Sequence, residues 1–223
     1  MSELTAPLHS GAAALGVPLA AAQLAQFATL VQELVRWNKA YNLTAITEPA
    51  EILTHHLLDS LAAQPDLAGI TVADVGTGAG FPGLPLAIVN PQRQFTLIDA
   101  VDKKLRFIDH AARELGLDNV RTLHGRVEQL KLAKAFDTVI TRAFAPLPRL
   151  AGWVAPLCDA HTCVVAMKGR WPPPAPASES SDADGGVLPG GWRIESLRPV
   201  VVPGLSEERN IVILRRDGSP GIP

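Results

Sequence analysis

The residues whose spacing speaks most directly of chemistry are glycines: Asp74-Val75-Gly76-Thr77-Gly78-Ala79-Gly80-Phe81-Pro82-Gly83. Glycine allows backbone angles that other residues avoid, and it lets a ligand approach with no Cβ in the way. The stretch follows a short β-like run, Thr71–Val75, and precedes an apolar run, Leu84–Val89, that reads as a helix. Free amides at the start of a helix favour negatively charged ligand atoms. Asp99 closes the next β-like run, 23 residues after Gly76. A carboxylate there can accept hydrogen bonds from both hydroxyls of a ribose. Loop, helix and acid together describe a site for a nucleoside-containing cofactor.

Two cofactors compete for that site. Gly78-Ala79-Gly80-Phe81-Pro82-Gly83 formally matches the dinucleotide fingerprint G-x-G-x-x-G. This favours a nicotinamide-dependent oxidoreductase. Counted from Gly76, however, position 81 is Phe rather than Gly, and Pro82 and Pro85 stiffen the loop. Asp74 also sets a second carboxylate where a pyrophosphate would be repelled. S-adenosylmethionine carries a sulfonium and an amino group, and it tolerates acid nearby.

Further candidates lie outside the loop. Arg142 ends a β-like run, where an arginine can stack on a base or pair bidentately with a phosphate. Its plainer alternative is a salt bridge. Lys168 ends another such run with the same logic. Arg36, Asn38, Lys39 and Asn42 could touch RNA from an N-terminal helix. Asn38 falls near that helix's apolar stripe and could equally be a buried amide. His55 and Asp59 stand four apart on a helix, but two ligands do not make a metal site, and no metal is expected. Lys103, Lys104 and Arg106 read as a solvated helix face. Neither G-x-S-x-G nor a convincing Cys–His pair is present, so no nucleophile–base couple is expected.

These residues need elements to hold them. From Leu19 to about Ala40, Leu24, Phe27, Val31 and Leu34 recur at helical spacing. Thr47 can cap a second helix, with Pro49 in its first turn and Leu53, Leu57 and Leu61 on one face. Strands are expected at Thr71–Val75, Gln94–Ile98, Val120–Leu123, Phe136–Thr141 and Thr162–Met167. Helices are expected between them at Leu84–Val89, Val101–Leu115, with Gly116 as its C-terminal stop, and Pro148–Leu157. Alternating strands and helices imply a parallel sheet with helices on both faces. Trp192–Leu197 and Asn210–Leu214 would add an antiparallel hairpin, making seven strands. The segment between, Trp171–Gly191, is rich in Pro, Ser, Gly and Asp and reads as a flexible surface loop. The division expected is a helical extension over 1–66 and a cofactor-binding core over 67–223.

Composition sets broad limits. Of the 223 residues 47% are hydrophobic and only 5% aromatic, so the core must be mostly aliphatic. Cys158 and Cys163, the two cysteines, cannot make a disulfide framework and suit a reducing compartment. There is neither a signal-like start nor an 18-residue apolar run, so a cytoplasmic protein with no membrane span is expected. The formal net charge is −2. Residues 71–150 alone carry a net +3, so the positive excess sits where the chemistry sits. Nothing in the sequence demands more than a monomer.

The Asp74–Gly80 stretch resembles motif I of class I methyltransferases. A wider set is similar to the bacterial 16S rRNA guanine-N7 methyltransferase family, also called glucose-inhibited division protein B. That set is Arg36-Trp37-Asn38-Lys39-Ala40-Tyr41-Asn42-Leu43-Thr44, His55-His56-Leu57-Leu58-Asp59-Ser60, the Gly76–Gly83 loop, Thr141-Arg142-Ala143-Phe144-Ala145 and Met167-Lys168-Gly169. The resemblance implies a Rossmann-like α/β fold, S-adenosylmethionine as cofactor, and methyl transfer to N7 of one guanine in the 530 loop. The substrate would be 16S rRNA or the small ribosomal subunit. It implies that Gly76, Gly78, Gly80 and Phe81 hold the cofactor, that Val127 and Glu128 sit at its adenine, and that Arg142 closes the pocket. A ribosome-assembly factor that keeps the fold without turnover is the remaining alternative.

Overall fold

A computed structural model describes residues 2–142, 145–171 and 187–216 of the chain. Helices α1 (Ser2–Ala14) and α2 (Ala21–Tyr41) come first. Next comes a helical segment made of α3 (Pro49–Ile52), a π-helical stretch Leu53–Leu58 and α4 (Asp59–Leu61). Then β1 (Thr71–Val75), α5 (Gly83–Val89), β2 (Gln94–Asp99), α6 (Asp102–Leu115), β3 (Val120–His124) and β4 (Thr138–Arg142) alternate. The remainder is α7 (Leu147–Val154), β5 (Cys163–Lys168), β6 (Val187–Leu188), β7 (Trp192–Val200) and β8 (Arg209–Arg216).

The strands form one sheet in the order β3-β2-β1-β4-β5-β8-β7-β6. The first five pair in parallel, and β8, β7 and β6 add antiparallel. All seven expected strands are present, and the two-residue β6 is an eighth. Its pairing with Arg193 and Trp192 corrects the surface-loop reading at that end, because Val187–Leu188 belong to the sheet and Leu188 is buried. Residues 172–186, most of that expected loop, lie outside the described residues.

Chain order reverses at the β1–β4 junction: β2 and β3 lie to one side, β4 and β5 to the other. Such a switch point opens a crevice at the carboxyl ends of the strands, where α/β proteins bind ligands. The strands alternate strictly between two cores. Val165, Met167, Ile211 and Ile213 face the core shared with α1, α2, α5 and α6. Val164, Ala166, Val212 and Leu214 face the smaller one against α7. That is the two-residue period of a strand buried on both faces. The helices before β1 thus share a core with α5 and α6.

Helix α1 was not anticipated, because Pro7 and Gly11 interrupt any stripe. Tertiary contact explains it: Leu8 and Ala12 are buried, and a Cβ on Gly11 would come within 2.7 Å of Leu58. The glycine lets α1 lie close against the π-helical stretch. Glu48 rather than Thr47 precedes the first turn of α3, and Pro49 opens it. Gly116 ends α6 with φ 64°, as expected.

Candidate active site

A cavity of about 370 Å³ opens at the switch point. Val75, Gly76, Ile98 and Asp99 from the ends of β1 and β2 form one wall, and Gly125, Val127 and Glu128 after β3 form another. The volume suits a ligand of nucleoside-cofactor size. Gly76, Asp99, Val127 and Glu128, far apart in sequence, are therefore brought together. Gly78 adjoins them: its amide donates to Asp99 Oδ2 at 3.0 Å, its φ is +62°, and a Cβ built there would meet nothing. The backbone is thus open on the side a ligand would use.

Asp99 is buried and well supplied with donors. Its Oδ1 accepts from the Val101 amide at 2.9 Å, and Lys104 Nζ lies 3.8 Å from Oδ2. Lys104 therefore belongs to the cavity wall, which corrects its reading as part of a solvated face. Lys103 Nζ donates to the Tyr41 carbonyl at 2.9 Å and ties α6 to the end of α2. Trp153 of α7 and Arg126 also line the cavity. Sequence reasoning missed both, because Trp153 sits in an ordinary apolar helix pattern.

The other loop residues face inward. A Cβ on Gly80 would strike Leu84 at 2.5 Å, and one on Gly83 would strike Asp74 Oδ2 at 2.7 Å. Both glycines permit close packing. Asp74 is fully buried beneath the loop. Its Oδ2 accepts from Thr77 Oγ1 at 2.6 Å and from the Gly83 amide at 2.8 Å, while Oδ1 has no partner. Burial, only partly offset by these hydrogen bonds, pushes its pKa up to about 6. Asp74 does not line the cavity and holds the loop from below; the carboxylates that line it are Asp99 and Glu128, acceptors for the hydroxyl and amino donors of a nucleoside cofactor. The donor set fits S-adenosylmethionine.

Phe81 and Arg142 belong to a second cluster. Phe81 is buried and stacks on His56, with centroids 4.6 Å apart. The Arg142 guanidinium lies 5.8 Å from the Phe81 ring centre. Its Nη1 donates to the His55 carbonyl at 2.7 Å and to Asp59 Oδ2 at 3.0 Å. Its Nη2 donates to His56 Nδ1 at 3.3 Å. His56 Nδ1 also lies 3.2 Å from the His55 carbonyl, and its Nε2 is paired with Thr44 Oγ1 at 3.0 Å. Burial first, and then the Arg142 charge, lower the His56 pKa to about 4, so the ring is neutral. Arg142 was expected to close the cofactor pocket, yet it does not line the 370 Å³ cavity. Phe81 is likewise turned into the protein.

Lys168 ends β5 beside Arg142, its register partner being Asn210 of β8, and its Nζ donates to the Ala145 carbonyl. Residues 143 and 144 of that expected motif lie outside the described residues. Asn38 is buried: its Nδ2 donates to the Thr44 carbonyl and its Oδ1 accepts from the Thr44 amide, both at 2.9 Å. It shapes the turn after α2. Lys39 and Asn42 are exposed, and with Asn38 they line a separate cavity of about 530 Å³. Arg36 is exposed, 3.7 Å from Glu33. His55 Nε2 lies 3.4 Å from Glu207, whereas Asp59 is taken by Arg142 and Arg209, and among the described residues no cluster of three metal-ligating side chains occurs.

A doubly wound sheet with an acid- and glycine-walled cavity at its switch point is the architecture of class I S-adenosylmethionine-dependent methyltransferases. A solved S-adenosylmethionine-dependent methyltransferase from Aquifex aeolicus has this fold (TM-score 0.51, 18% identity, 75% of this chain and 94% of that one). The sequence profile of the rRNA small subunit methyltransferase G family matches residues 23–180. The ribosomal RNA small subunit methyltransferase G of Pseudomonas syringae pv. syringae is 39% identical over 97% of this chain and 99% of its own. That of Azoarcus sp. is 41% identical over 94% and 95%. The chain belongs to the rRNA small subunit methyltransferase G family. It is a methyltransferase, and its cofactor is S-adenosylmethionine. The formal G-x-G-x-x-G match therefore marks packing at Gly80 and Gly83 rather than a nicotinamide site.

Proposed function

We propose that this chain methylates N7 of one guanine in the 530 loop of 16S rRNA, presented by the small ribosomal subunit or its RNA. It acts as a cytoplasmic monomer. The observation that carries the reading is the adjacency of the cofactor cavity to a basic edge. Arg142 ends β4, Lys168 ends β5, and Arg209 begins the antiparallel β8 at that same end of the sheet. A cationic edge suits a polyanion, while the cavity offers Asp99 and Glu128 as hydrogen-bond acceptors to the cofactor, with Lys104 and Arg126 beside them.

S-adenosylmethionine, when bound, supplies a methyl group already activated by its sulfonium. Guanine N7 carries a lone pair and no proton, so this chain needs no general base. Its residues bind, orient and exclude water. Gly76 and Gly78 offer open backbone, Asp99 accepts from the ribose hydroxyls, and Val127 and Glu128 flank the adenine. Gly80 and Phe81 act indirectly, by fixing the shape of the loop. Arg142 and Lys168 position the RNA and leave N7 free to attack. Arg36, Lys39 and Asn42 extend the RNA contact across the helical part, residues 1–66, and Asn38 holds the turn that presents them.

The test is methyl transfer from labelled S-adenosylmethionine to small subunits from cells lacking this protein, with the nucleoside identified by mass. A 7-methylguanosine in one 16S rRNA fragment is the expected result. No label, with S-adenosylhomocysteine still bound, would overturn the substrate and leave the cofactor.

A further inference from the structure

Asp59 lies in the helical part, yet its side chain serves the core. It is 3% exposed, and its two carboxylate oxygens are divided between two arginines from different strands. Oδ2 accepts from Arg142 Nη1 and Oδ1 from Arg209 Nε, each at 3.0 Å. Asp59 is thus shared by two guanidiniums, with Glu207 also close enough to Arg209 to feel its charge.

The hydrogen-bond inventory of Arg142 is selective. A guanidinium has five N–H donors in a fixed fork. Both Nη1 protons are taken, by the His55 carbonyl and Asp59, and one Nη2 proton by His56. Among the described residues the Nε–H and the second Nη2 proton have no partner, and the two can lie on one edge. Two parallel donors on one edge match the paired oxygens of a phosphate. The partners that impose this choice all come from one turn of the π-helical stretch and α4: the His55 carbonyl, the His56 ring and Asp59.

We propose that Asp59 is a positioning residue for RNA methylation: it anchors the Nη1 end of Arg142 so that the Nε edge stays free for an RNA phosphate. Through Arg209 it fixes the same anchor to β8. The inference rests on the reading that Arg142 meets the RNA. Asp59 touches neither cofactor nor substrate.

The test compares Asp59→Asn, Arg142→Ala and the double variant of the full chain, with small ribosomal subunits as substrate and S-adenosylhomocysteine binding measured separately. Asp59→Asn should bind S-adenosylhomocysteine within about twofold of the parent and lose about tenfold to a hundredfold in kcat, the scale of a misplaced positioning group. In the Arg142→Ala background, Asp59→Asn should cost less than about twofold more, because the group it positions is gone. A purely structural Asp59 would lower both backgrounds by the same factor, and that result overturns the proposal. So does an Asp59→Asn enzyme with the parent kcat. If Asp59→Asn does not fold, Asp59→Glu keeps the charge and displaces it by one methylene; it should show the same split, and parental turnover would again refute the idea. Arg142→Ala at the parental rate would remove the underlying reading as well. Full loss in Arg142→Ala beside normal turnover in Asp59→Asn removes the Asp59 proposal alone.

Discussion

The two halves of the crevice are built by different means. On the β1–β2–β3 side, backbone and one acid do the shaping: Gly76, Gly78, Asp99 and the turn at Gly125–Glu128. On the β4–β5–β8 side, long side chains do it, with Asp59 holding Arg142 and Arg209 together. A backbone-walled cavity can accept a ligand with few rotamers to order, so it suits a small, constant cofactor. A clamp of guanidiniums gains its precision from neighbours and suits a large anionic partner. The cavity half gathers strand-end residues spread from Val75 to Glu128, while the clamp half joins residues 83 and 150 positions apart.

That contrast predicts separable losses. The largest effect should come from Arg142→Ala, which should lower kcat on small subunits about 10²–10³-fold, as losing one preorganised donor does. Cofactor affinity should barely move, because Arg142 lies off the cavity; a parallel loss of S-adenosylhomocysteine binding would merge the two halves. Next is Asp99→Ala. It should weaken S-adenosylhomocysteine binding about 10–100-fold, from hydrogen bonds to a charged group worth about 1.5–3 kcal/mol. Saturating cofactor should restore most turnover, and an unrestored kcat would give Asp99 a role beyond binding.

Smaller again is Gly83→Ala. The added Cβ would meet Asp74 Oδ2 at 2.7 Å and Leu97 at 2.8 Å. Overpacking of this kind costs about 1–3 kcal/mol, or roughly 2–4 °C of Tm per kcal/mol for a chain this size. An unchanged Tm would show that the loop shifts freely.

The smallest effect concerns pH, and its sign differs between the halves. The folded-state pKa of Asp74, about 6, lies above its ordinary value of 3.8, so its contribution to stability falls as pH rises through that window. His56 is lowered from 6.5 to about 4, so its contribution is fully present above 6.5 and is lost as pH falls towards 4. The two slopes oppose each other. Asp74→Asn should leave stability rising with pH across that range, and His56→Gln should leave it falling. Urea unfolding midpoints between about pH 4 and 8 decide it, and parallel profiles for the two variants would contradict both assignments.

Much of the fold was legible. Strand runs ending in Asp99, Arg142 and Lys168 stood out because buried parallel strands are continuous apolar segments closed by polar residues. Gly116 and Pro49 punctuated helices for local steric reasons. Helix α1 was not legible, since what orders it is the surface that α2 and the π-helical stretch offer to Leu8, Gly11 and Ala12. The two-residue β6 was hidden for a similar reason: its pairing with β7 is what makes it a strand.

The sequence by itself determined the alternation of strands and helices, the glycine-rich loop and the acid that follows it. These depend on backbone freedom and on period, which a few neighbouring residues specify. Tertiary structure alone decided which glycines face the cavity and which face Leu84 or Asp74. It alone made Arg142 a partner of Asp59, off the wall of the cavity. A side chain's role depends on what lies within about 3 Å of its donors, and for Arg142 those neighbours come from a helix folded back across the sheet more than eighty residues away.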